Sequence, residues 1–433
     1  MLTPHSANPY ALSPVAGCFH SPLFRLHTQV KRTVCSISWY PDGGKKLAAS
    51  FAIMQFQDWR MERMSNVSYI WDVSNPNVPD MELKPVSALC CVEYNPKDQH
   101  LLVGGSYNGL ISCWDTRKGS TPVDTSIVEK SHRDPVSDIS WVAGKTAFEC
   151  VSTATDGQVL WWDTRKLGEP LEQLLLEDKA AGDGRLVGGV CLEYSTAGGK
   201  FLVGTENGTV IACNRKAKNP ADRLGLVYEG HCGPIYALQR NPFWPKFFLT
   251  IGDWTVRLWN DELRGPVMTS KYFMNYVLDA TWSPTRPGVF LSTKMDGTLD
   301  VWDYYHKQND PTLTLQVDDD GLYTVSMQEA GSLLATGSVD GSVYLLELSP
   351  GLCQMQQNEK KVFAEMVDRE SKREKNLEAR AKELRAREKR MAEQHKEVVK
   401  EVVKWAEQEK QVEEAFWKAI DDAAKRDEEA GAS

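Results

Sequence analysis

At 433 residues, 42% hydrophobic and with 14 tryptophans, the chain can bury a sizeable core. Its net charge of −9 and pI near 5.5 exclude a generally basic, nucleic-acid-seeking surface. No run approaches the roughly 18 apolar residues of a membrane span, the N-terminus has no secretory pattern, and ten cysteines without a Cys-x-x-Cys pair suit reduced, buried thiols of a cytosolic compartment.

Residues 1–32 are weakly patterned, with one short β-like run at Leu23 to Val30. From Val34 a repeat begins. A turn residue stands six positions before a strand end: Asn108-Gly109 before Trp114, Asp156-Gly157 before Trp162, and Asn207-Gly208 before Cys213. The frame returns with Asp253-Trp254 before Trp259, Asp296-Gly297 before Trp302 and Asp340-Gly341 before Leu346. Asp-Gly and Asn-Gly between β-favouring runs are strong hairpin signals, because the turn favours positive φ. The first unit ends at Trp71-Asp72 and carries an insertion near Met54 to Asn66, and seven units in all end between Trp71-Asp72 and Leu346-Glu347.

A period of about 40–45 residues of short strands ending in Trp-Asp resembles the WD-repeat β-propeller. The expected fold is all-β: a seven-bladed WD-repeat propeller over 33–349, a linker at 350–357 and one long charged helix over 358–429. The family's polar tetrad maps onto His132, Ser152, Asp156 and Trp162 in unit three, and onto His231, Thr250, Asp253 and Trp259 in unit five. Unit seven lacks an outer strand before Ser349-Pro350-Gly351, so residues 1–32 are expected to supply it through Leu23 to Val30 and so close the ring.

The helix repeats Leu377, Leu384, Met391, Val398, Trp405 and Val412 every seven residues, while its second seam (Ala381, Glu388, His395, Val402, Glu409, Phe416) is poor. The first half therefore reads as solvated. The second half offers Val398, Val402, Trp405, Val412 and Phe416 to a partner, the alternative being a helix folded back on its own propeller. On the first reading the helix adds affinity and little propeller stability.

No catalytic constellation emerges. Gly144-Lys145-Thr146 ends like a phosphate loop, but Ile139 stands where the upstream glycine is required. The histidines show no metal spacing, so neither metal, cofactor nor enzymatic activity is expected. The loops after the Trp-Asp position share one face of a propeller, and three neighbouring ones carry Arg117-Lys118, Arg165-Lys166 and Arg215-Lys216 with Lys218. The hairpin loop holding Phe243 and Trp244 opens on the same face. This basic stripe with aromatic rings is expected to hold a partner with an acidic edge.

Several stretches are more specific than the repeat, among them HLLVGGSYNGLISCWDTRKGS, DGQVLWWDTRK, GPIYALQRNPFWPKFFLTIGDWTVRLW and NEKKVFAEMVDRESKREKNLEAR. They resemble the dynein intermediate chains of the outer arm of cilia and flagella, over roughly residues 30 to 390. The resemblance implies a non-catalytic subunit that binds a dynein heavy-chain tail and a second dynein intermediate chain. It would be preassembled in the cytoplasm and carried to the axoneme, with no nucleic acid or membrane involved. Family members also contact light chains through an arm ahead of the propeller, which residues 1–32 do not resemble. The alternative is a WD-repeat adaptor in another complex, such as a cytoplasmic dynein intermediate chain, a transport train or a substrate adaptor.

Overall fold

The computed structural model describes residues 12–14, 24–25 and 30–431, apart from 42, 56–63, 143, 145–146, 179–183, 195–198 and 220–221, with the backbone alone for 12–14, 24–25 and 421–431. Seven antiparallel sheets follow one another along the described residues, six with their strands in sequence order and the last completed at its outer edge by strands from the N-terminal segment. Blade three is representative, running Val136–Trp141, Glu149–Ala154, Gln158–Asp163 and Glu172–Leu175. The architecture is a seven-bladed β-propeller followed by a helix. The centre of the insertion after Met54 and two residues of the Gly144-Lys145-Thr146 loop lie outside the described residues.

The turns explain the repeated glycines. Gly109, Gly157, Gly208, Gly297 and Gly341 all have φ between 78° and 92°, where a side chain is strained. There is no room for one either: a Cβ on Gly109 would lie 2.1 Å from the His132 carbonyl oxygen, and one on Gly297 2.0 Å from that of Asp318. Each such turn is thus pressed against the connection entering the next blade.

The alternation of strand side chains places apolar residues on both faces of every blade, and the core forms between blades. Seven hydrophobic clusters result, one at each junction. Trp162 packs with Val103 and Ile111 of blade two, and Trp161 with Phe201 and Val203 of blade four. Val34, Phe51 and Trp71 of blade one pack on Val343 and Leu345 of blade seven, which joins the ends of the array. The last strand of blade seven, Ser342–Leu348, receives Leu12–Pro14 opposite Leu346 to Leu348 and Phe24–Arg25 opposite Ser342 and Val343. Leu12–Pro14 falls outside the run from Leu23 considered above.

The segment after the propeller differs from expectation. The 350–357 linker contains a helical turn, α1 (Pro350–Cys353), whose Leu352 is buried. The long helix, α2, spans Glu359–Gly431. Its first turns are not solvated: Glu359, Phe363, Met366, Val367 and Ser371 are buried, and Phe363, Met366 and Val367 belong to the cluster between blades five and six. Three apolar positions at i, i+3 and i+4 make one helix face, and burying such side chains is worth about 1.5–3 kcal/mol each. Residues 372–433 form a separate compact unit, in which every described side chain from Ala379 to Ile420 is exposed.

Candidate interaction surfaces

The two tetrads are assembled by strand register. In blade three, Trp162 Nε1 donates to Ser152 Oγ at 2.9 Å, Ser152 lies 2.8 Å from His132 Nε2, and His132 Nδ1 lies 3.2 Å from Asp156. Since Ser152 accepts from tryptophan, its hydroxyl proton points to Nε2. Nδ1 then carries the proton given to Asp156. Burial alone would raise the Asp156 pKa, but His132 and the N–H groups of Arg133 and Gln158 outweigh it and hold the carboxyl low. In blade five, Trp259 Nε1 reaches Thr250 Oγ1 at 2.7 Å, and His231 lies 2.8 Å from Thr250 and 3.3 Å from Asp253. Burial pushes the His231 imidazole down to about 4, so it is neutral. These histidines are inside the fold and committed to it. His132→Ala should strand Ser152 and Asp156 and cost ~1–3 kcal/mol in urea unfolding. An unchanged midpoint would mean that the tetrad contributes nothing.

The basic loops divide. Arg117 Nε and Nη2 donate to both oxygens of Asp115 at 2.9 and 3.1 Å, and Arg165 grips Asp163 in the same way at 3.0 and 2.6 Å. In each the arginine is exposed while its carboxylate partner is largely covered, and the charge is locally neutralised. Arg215 departs from the expected role as a surface contact. Its side chain is 16% exposed, pairs with Glu149 at 2.7 Å and Glu172 at 3.0 Å, and lies over Trp161. It ties blade four to blade three, because its loop folds inward over the neighbouring sheet. The exposed positive charge of this face therefore comes mainly from Lys118, Lys166, Lys216 and Lys218.

Phe243 and Trp244 also depart from expectation. Trp244 stacks on Phe363 at 5.3 Å, and Lys360 lies over the Phe243 ring at 5.0 Å. Both rings are half-buried, serving as a seat for the start of α2 instead of facing solvent. The alternative arrangement, a helix packed on its own propeller, thus holds for the first turns of α2. Val398, Val402, Trp405, Val412 and Phe416 are all exposed, Trp405 by 72%.

Two features escape a reading of sequence. The first is an ion cluster beneath α2. Arg286, fully buried, donates through Nε to Glu359 at 3.0 Å and through Nη1 to the Gly351 carbonyl at 3.0 Å, and pairs with Asp303 at 2.9 Å. The second is a set of stitches around the central channel. Side chains of the innermost strands accept backbone N–H groups of the next blade: Ser38 from Tyr94, Glu93 from Trp141, Asp138 from Leu192, and Glu193 from Arg240. Gln239 accepts from Trp282 and Asp279 from Val325 in the same way. A polar residue within the innermost strand of blades one to six is the sequence signal. The channel encloses a cavity of about 560 Å³ that Asp138, Glu193 and Asp279 line with Cys91 and Cys191.

Chemically, this interior suits structure. Burial raises the pKa of Cys35 to about 12 and that of the other inner thiols well above normal, which withholds the nucleophilic thiolate. Among the described residues no cluster of three or more His, Cys, Asp or Glu is placed to hold a metal, and no helix is long and apolar enough to cross a membrane.

Comparison with known proteins gives the same direction. Residues 191–348 match the family description "Dynein axonemal intermediate chain 3 WD40 domain", and residues 83–115 match "WD domain, G-beta repeat". The chain is 55% identical over 366 residues to the ciliary dynein intermediate chain 3 of Heliocidaris crassispina, covering 84% of this chain and 61% of that one. It is 52% identical to the human dynein axonemal intermediate chain 2, covering 84% and 60%. With the 70 kDa intermediate chain of the flagellar outer arm of Chlamydomonas reinhardtii, it is 45% identical over 406 residues, covering 93% and 71%. It thus spans about three fifths of the length of the first two relatives. Identity of 45–55% over most of this chain, together with the propeller, means that the chain belongs to the axonemal dynein intermediate chain family.

Proposed function

We propose that this chain is a non-catalytic intermediate chain of the outer dynein arm, located in the axoneme of cilia or flagella after assembly in the cytoplasm. It scaffolds a heavy-chain tail and pairs with a second intermediate chain. The observation that carries the proposal is the 45% identity, over 93% of this chain, to an intermediate chain of a flagellar outer arm. The interior supports it, since the histidines, carboxylates and thiols best placed for chemistry are engaged in holding blades together.

The heavy-chain tail is assigned to the face carrying Lys118, Lys166, Lys216 and Lys218, which several carboxylates could meet at once. Replacing these four lysines by glutamate should leave melting unchanged and cut co-purification with an outer-arm heavy chain. The wild-type complex should weaken as salt rises, because rim charges act through screened attraction. A fourfold variant that binds as well as wild type at low salt would remove this face from the contact. Recovery of cytoplasmic dynein heavy chains in place of axonemal ones would favour the adaptor alternative.

A further inference from the structure

The face opposite the lysines carries a surface that neither ring closure nor the tetrads require. In unit five the turn between the second and third strands is shortened to two residues, Asp253 and Trp254. Asp253 takes φ +52°, the left-handed region, which Asp tolerates better than most residues. Trp254 is thereby presented outward where the turns of five other blades have glycine. Its ring stacks on Tyr276 at 4.6 Å and 25°. Tyr276 ends the connection to blade six, which also exposes Tyr272 and Met274, the latter by 94%. Met295, in the adjoining turn, is exposed too and donates its N–H to the Tyr276 carbonyl at 2.9 Å. Tyr236 continues the patch toward the channel mouth.

Contiguous aromatic and methionine side chains in water mark a contact surface, because each loses hydration gain until covered. The charge beside the patch is negative. Asp318, Asp319 and Asp320 form the connection from blade six to blade seven, which lies against Met295, and Asp296 sits in the Met295 turn, held by Asn275 at 3.0 Å. The nearby lysines are already engaged, Lys271 with Asp310 at 2.9 Å, Lys294 with Asp300 at 3.0 Å and Lys31 with Asp320 at 3.8 Å.

We infer that the Trp254–Tyr272–Met274 patch with its aspartate rim is a second docking surface, and that it receives a segment of another protein rich in lysine and arginine with apolar anchors. The apolar anchors would cover the rings while the cations meet Asp319 and compete with the exposed Lys31 for Asp320. This occupant is the chemical opposite of the acidic edge suited to the lysine face, so the two faces can hold different partners at once. The inference stands apart from the identity of the heavy chain.

The test uses the full chain and two fluorescein-labelled synthetic peptides with the same leucine and tryptophan spacing, one Lys/Arg-rich and one Glu-rich. Anisotropy titration should show the basic peptide binding at least about tenfold more tightly than the acidic one, and more weakly as salt rises. Trp254→Ser/Tyr272→Ser/Met274→Ser and Asp319→Lys/Asp320→Lys should each weaken the basic peptide at least about tenfold, with melting unchanged. Absence of binding, equal binding of the two peptides, or undiminished binding by either variant overturns the inference. A wild-type chain that sediments alone as a dimer, dispersed by the triple substitution, also overturns it, since the occupant would then be a second copy.

Discussion

Truncation after Gly351 is expected to lower the melting temperature of the propeller sharply, while truncation after Ser371 leaves it unchanged. The difference lies in the first turns of α2. Between those two points lie Glu359, which pairs with Arg286, and Phe363, Met366 and Val367, which fill the cluster between blades five and six. Removing one partner of a buried ion pair leaves an uncompensated charge and typically costs about 3–5 kcal/mol. Arg286 would keep Asp303 and a carbonyl, so Glu359→Ala alone should cost about 3 kcal/mol, the lower end of that range. The cause can be separated from packing. In Arg286→Met/Asp303→Asn/Glu359→Leu no charge is stranded by a missing partner, and an Asn oxygen at 303 can still accept the Tyr305 N–H, so the triple variant should recover much of the loss, as apolar replacements of buried pairs often do. Urea unfolding of these variants gives the comparison directly. Equal stability of the two truncations would show that the start of α2 only rests on the blades.

Blade number, turn positions and tetrads were legible in sequence because each rests on local spacing. An Asp-Gly turn six residues before a Trp needs no knowledge of neighbouring blades. The outcome for Arg215 was not legible, since its motif reads like those at Arg117 and Arg165. Only the sheet alongside brings Glu149 and Glu172 to it. Phe243 and Trp244 looked like exposed anchors for the same reason: their cover, Phe363, lies more than a hundred residues away. The apolar trio Phe363, Met366 and Val367 was visible within a charged helix, but it lies outside the seven-residue repeat from Leu377 and was absorbed into the reading of a solvated helix. Non-local burial decides these cases, and a single sequence does not encode it in its spacing.

The channel stitches lead to an expected dependence of stability on pH. Burial pushes the Asp138 and Glu193 carboxyls up to about 7 and Asp279 up to about 6. Asp138 is also opposed by Asp279, and it in turn opposes Glu93, Glu193, Cys91 and Cys191. In the unfolded chain such carboxyls titrate near about 4. Between those limits the native state holds protons that the unfolded state has lost, so stability is greatest at the acidic end and falls as pH rises toward about 7, levelling off above it. Each group contributes a slope of up to about 1.4 kcal/mol per pH unit inside its window. His231 acts in the opposite sense, since its imidazole is neutral in the native state down to about 4 while the unfolded one protonates near about 6.5. One opposing group against these three, with the buried Glu93 carboxyl also raised, leaves a net decline. Asp138→Asn removes the ionisation and retains an oxygen able to accept the Leu192 N–H. Its unfolding free energy, measured in urea from pH 5 to 8, should therefore fall less steeply than that of the wild type. Identical slopes would mean that the stitch at Asp138 is already charged throughout this range, with water entering the channel to solvate it.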